Sequence, residues 1–114
     1  MSQAERDDRG VLDQFRWSIQ ALACPPDAQL ALFPDFVRET DELALDYGHW
    51  FEVARSFFPG EFSENQLASL QAIDARLGAM SNGGAEFDEE LWSEASLRTS
   101  PAWEELRDLA GVAL

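Results

Sequence analysis

Between Phe36 and Phe58 the chain repeats apolar residues at helical spacing, and this pattern restricts its fold more than any other. Phe36, Thr40, Leu43, Tyr47, Trp50, Ala54 and Phe57 step alternately by four and three residues. Val37, Ala44, Phe51 and Phe58 run beside them at intervals of seven. Residues so spaced share one side of an α-helix, and together they form a wide aromatic stripe suited to a central core helix. Gly48 lies inside the stripe at a cost of about 1 kcal/mol relative to alanine. Pro59-Gly60 ends it.

The segments around this helix carry start and stop signals of the same kind. Ser2-Gln3-Ala4-Glu5 reads as a capping box, followed at helical spacing by Val11, Leu12, Phe15, Ile19 and Leu22. Cys24-Pro25-Pro26 stops that helix, since proline lacks an N–H and disfavours helix in the residue before it. Residues 27–33 form a short apolar run that Pro34 closes; it reads as one or two helical turns, with a short buried strand as the alternative that periodicity leaves open. A second capping box, Ser63 with Gln66, opens a helix whose face is Leu70, Ile73, Leu77 and Met80; Phe62 and Leu67 stand where a hydrophobic staple belongs. Ser81-Asn82-Gly83-Gly84 ends it, because glycine and asparagine accept the left-handed conformation.

Asp88 then predicts a short helix through Trp92 to about Leu97, and Ser100-Pro101 starts a last one with Trp103, Leu106, Ala110 and Ala113 on its inner face. No strand alternation of useful length appears, and no internal repeat. The expected fold is all-α: an irregular bundle of about four main helices plus one or two short ones, forming a single acidic domain over residues 1–114. The connections at 24–35 and 81–87 are expected to be the most mobile.

Charge decides what such a bundle can bind. Twenty-two acidic residues face eight arginines with no lysine, a formal net charge of -14, yet 46% of the chain is hydrophobic. Disorder requires high charge together with low hydrophobicity, and the second condition fails. Scattered arginines among so many carboxylates make no footprint for a phosphate backbone or an anionic membrane, so neither partner is expected. A basic protein or a cation would be attracted. The acidic start lacks the basic region and apolar core of a secretory signal, no stretch approaches a membrane span, and Cys24 stands alone. These features predict a cytoplasmic protein, with Cys24 a small core residue near a helix end.

His49 is the only histidine and carries any simple metal or acid–base reading. Asp35, Glu39, Glu42, Asp46 and His49 step by four, three, four and three along one flank of the 36–58 helix. Asp46 and His49 have the spacing of two ligands on one metal. A di-metal bundle needs a second such motif and further carboxylates, and no second histidine exists. A solvated acidic flank is the simpler reading, so no cofactor is expected. No nucleophile motif or phosphate-cradling loop is present.

Acidic clustering is more informative. Asp35, Glu39, Asp41, Glu42 and Asp46 form one cluster against Arg38 alone; Glu86, Asp88, Glu89, Glu90 and Glu94 form another around Leu91 and Trp92. An aromatic anchor ringed by acids suits docking of a basic partner, since aromatic anchors dominate binding energy and peripheral charge sets rate and selectivity. Against this stands Trp92 as core with the acids as its solvated side.

In size, acidity and helix content the chain resembles bacterial immunity proteins and antitoxins, which neutralise basic nuclease toxins. That likeness is one of composition, and no motif carries functional residues across. The leading expectation is a non-enzymatic interaction module for a basic protein, acting as an inhibitor. The alternatives are a divalent-metal-binding protein using His49 and neighbouring carboxylates such as Asp46, and a homo-oligomeric structural subunit with a generically acidic surface. Adaptation to a salt-rich cytoplasm is a separate explanation of the charge that needs no partner.

Overall fold

The computed structural model describes residues 3–32, 39–81 and 83–114, and the side chains of these apart from 3–9, 39 and 59. Among the described residues the architecture is all-α, as the periodicity predicts. Four long helices, α1 (Gln3–Ala23), α3 (Glu39–Phe57), α4 (Glu64–Met80) and α6 (Pro101–Ala113), are joined by two short ones, α2 (Pro26–Ala31) and α5 (Glu94–Thr99). Single 3-10 turns occupy Pro59–Glu61 and Glu89–Trp92. The Ser2–Glu5 capping box, Asp35, Phe36, Val37 and the side chain of Glu39 lie outside the described residues.

The apolar stripes become the core. Phe15, Ile19 and Leu22 of α1 meet Leu43, Tyr47, Phe51 and Ala54 of α3, while α4 supplies Leu70, Ile73, Leu77 and Met80. Trp103, Leu106, Ala110 and Ala113 of α6 are all buried, as expected for its inner face. Phe15 is the aromatic hub: its ring lies 5.8 Å from Tyr47, 6.0 Å from Phe51 and 5.5 Å, edge-on, from Phe62. The end of the α3 stripe departs from expectation, because Phe57 is 73% exposed. Steps of four and three drift about 20° per heptad around a straight helix, so the last member rotates off the core.

Capping fixes where the helices start. Ser63 Oγ accepts from the Gln66 N–H at 3.1 Å and Gln66 Oε1 accepts from the Ser63 N–H at 3.0 Å, the predicted reciprocal box. Ser100 Oγ accepts from the Ala102 N–H, with Pro101 in the first turn of α6. The single helix expected from Asp88 to Leu97 is instead two elements. Asp88 caps the 3-10 turn through the Glu90 N–H, and Ser93, with extended backbone, caps α5 through the Ser96 N–H. This break lets Trp92 turn inward while the acids beside it stay in water.

Within the 27–33 run, the described part forms the helix Pro26–Ala31, and Gln29 within it is fully buried. Its amide donates to Ala21 O at 3.1 Å and Leu22 O at 3.0 Å, satisfying carbonyls left open at the end of α1. Arg107 reaches in from α6 to donate to Gln29 Oε1 and to Leu97 O.

The 81–87 connection, expected as a mobile loop, is tied back onto the last turn of α4. Ser81 Oγ donates to Leu77 O at 2.6 Å and the Glu86 N–H to Ala79 O at 2.9 Å. Its two glycines are required for different reasons. Gly83 has φ +91°, and a Cβ on Gly84 would stand 2.3 Å from Gly78 O.

Candidate functional site

The helices do not close evenly. α1 packs closely along α3 and α6, and α4 along α6, whereas α3 and α4 meet only sparingly. Tyr47 Oη donates to Leu70 O at 2.6 Å and ties the two at one point. Toward the start of α3, Trp92 stands between them. Its indole N–H donates to Met80 O at 2.9 Å, and Thr40 Oγ1 donates to Trp92 O at 2.6 Å. Tyr47 thus meets Leu70 and, through Trp92, Thr40 meets Met80, so α3 and α4 run antiparallel. The indole also packs edge-on against Trp103, centroids 5.6 Å apart. Trp92 is a wedge that holds the helix pair open.

The gap is a groove of about 550 Å³ with matched walls. Asp41, Ala44, Leu45 and Gly48 line it from α3, and Asp74, Leu77, Gly78 and Ser81 from α4. Both sets follow the i, i+3, i+4, i+7 spacing of one helix face, and both begin with an aspartate. Because the helices are antiparallel, Asp41 and Asp74 stand toward opposite ends, with Glu89 beside the Asp41 end. Phe87 and an edge of Trp92 complete the lining, which contains no basic residue among the described residues. Leu45 is 67% and Phe87 44% exposed, so apolar surface is offered to the outside. Gly48 and Gly78 contribute width: a Cβ built on either meets nothing within 4 Å.

The sequence-predicted residues fall into three places. Glu89 and Trp92 line the groove, but Trp92 is not an exposed anchor. It is 8% exposed and bonded at both its N–H and its carbonyl, because burying so large an apolar ring stabilises the fold more than leaving it in water. The exposed aromatic of this region is Phe87. Glu86, Asp88 and Glu90 are exposed along the same connection, with Glu86 held by Arg76 at 2.7 Å; Arg76 also binds Glu105.

Glu42, Asp46 and His49 are elsewhere. At about 100° of rotation per residue, Asp46 faces away from Asp41 and Gly48, while Glu42 and His49, three and four residues from Leu45, flank it. Of the first acidic cluster Asp41 lines the groove, together with Glu89 of the second. Burial raises the Asp46 carboxyl above its ordinary range, opposed by the charge of His49. His49 is exposed, its ring edge-on to Trp50 at 4.6 Å. Among the described residues no three His, Cys, Asp or Glu side chains come together to hold a metal ion, so Asp46 and His49 have no third ligand there.

Leu45, Gly48, Asp74, Gly78 and Phe87 were not singled out by sequence as site residues. Their signal was the repeated aspartate-led helical face, hidden because it lies beside a stronger apolar stripe. Among the described residues no helix is long and apolar enough to cross a membrane. Comparison with models of protein families, with curated proteins and with solved structures finds no match to this chain.

Proposed function

We propose that the protein is a non-enzymatic binding module that takes a basic protein partner at the α3–α4 groove and acts as its inhibitor by covering cationic surface. The observation that carries this reading is the groove itself: an exposed apolar lining with carboxylates at both ends and, among the described residues, no basic one. Its volume falls in the roughly 300–1,000 Å³ range of binding pockets. A net charge of -14 steers a cationic protein toward it and opposes a second copy of this chain as the occupant.

The test is capture from native cells at low salt, using the wild-type chain and Leu45→Glu as parallel baits. Leu45 is exposed, so this change places a carboxylate in the groove without disturbing the core. A basic protein retained by the wild type, lost from the variant and released by salt is the expected result. Equal retention by both baits would place the interaction elsewhere.

A further inference from the structure

We infer that the groove receives an α-helical segment of the partner, with apolar side chains over two turns and Lys or Arg at each end. This rests on the reading of the groove as a docking site for a basic protein and specifies the form of the occupant.

The first argument is backbone chemistry. The walls are helices whose backbones are internally bonded, and the Ser81 hydroxyl is already committed to Leu77 O. No strand edge exists among the described residues to pair with an extended peptide. Such a peptide would press unpaired N–H and C=O groups against Leu45, Leu77 and Phe87, which is costly. A helix satisfies those groups internally and presents only side chains.

The second argument is dimension. Asp41 to Gly48 and Asp74 to Ser81 each span seven residues, a rise of about 10 Å. Anchors at i, i+4 and i+7 of an incoming helix cover the same length. Gly48 and Gly78 leave room for that helix to approach both walls.

The third argument is charge placement. The carboxylates stand at the two ends of the groove and the apolar residues between them. The complementary ligand therefore has an apolar centre and cationic ends, which a basic amphipathic helix provides.

The probe is a synthetic peptide of about 15 residues, long enough to populate helix, with leucine at i, i+4 and i+7, lysine beyond both ends and alanine elsewhere. Calorimetry with the full chain should show saturable binding, and circular dichroism should show helix gained. A central proline, or glutamate in place of lysine, should each weaken binding at least tenfold. Gly48→Leu and Gly78→Leu fill the groove from either wall and should do the same; thermal melts identify any variant that fails to fold.

If the proline peptide binds as tightly as the helical one, the helix is the wrong occupant. The same holds if the helical peptide fails to bind while Leu45→Glu still abolishes capture of the native partner; the docking reading survives both results. If neither peptide binds and capture ignores Leu45→Glu, the docking reading falls as well. A dimer in light scattering that Gly48→Leu dissolves would assign the groove to a second copy and overturn the inference.

Discussion

Helix α4 makes two unlike junctions. Against α6 it packs closely: every inner-face residue of α6 is buried, and Gln66 Nε2 donates to Ala113 O where α4 begins and α6 ends. Against α3 it touches near Tyr47 and Leu70, then parts around Trp92. Both junctions use ordinary apolar helix faces. The difference is what stands opposite. The α3–α4 gap is bordered by Gly48 and Gly78 and has the Trp92 indole between the helices. Openness here is a built property, created by small residues on the walls and a large one at the base.

Removing the wedge should give the largest effect. Trp92→Ala is expected to lose about 3–5 kcal/mol in urea unfolding, from lost burial and the cavity left behind. Trp92→Phe keeps one ring and loses the N–H to Met80 O and part of the indole volume, so its loss should be smaller. A loss below about 1 kcal/mol for the alanine variant would mean that α3 and α4 close without the wedge.

The Tyr47 hydrogen bond between the same helices is tested by pH. Burial first, and then the Asp74 charge, raise the Tyr47 hydroxyl well above its ordinary value of 10.0. In the unfolded chain the phenol ionises near that ordinary value, while in the fold it stays protonated. Its contribution is therefore complete below about pH 10 and is lost as pH rises beyond. Tyr47→Phe should cost about 1 kcal/mol at neutral pH and flatten the alkaline decline. Tyr47 is the only tyrosine, so tyrosinate absorbance reports this group alone and should rise only as the protein unfolds.

The smallest effect sharpens the contrast from the other wall. Gly48→Ala should raise stability by up to about 1 kcal/mol, because the new methyl improves helix propensity and meets no atom within 4 Å. If the groove is the binding site, the same methyl narrows it and weakens partner binding while the melting temperature rises. A variant that gains stability with binding unchanged would separate Gly48 from function.

Much of the fold was legible because helical periodicity and capping are local. The Ser63–Gln66 box and the Ser100-Pro101 start appear as read, and the faces of α4 and α6 are buried as read. The acid-rich run at 88–97 was legible only in part, since Ser93 divides it through a cap that serves Trp92's inward turn. The site was less legible still. Trp92 carried the right position with the wrong exposure, and Glu42 and Asp46 are not among the residues that line the groove.

The sequence by itself determined which residues are helical, which side of each helix is apolar, and that the surface is acidic. These follow from spacing along a single element and from composition. Only tertiary structure decided that α3 and α4 part, that an indole holds them so, and that two aspartates from different helices mark opposite ends of one groove. Those facts depend on how side chains far apart in the chain fill a shared volume, and no single helix contains that information.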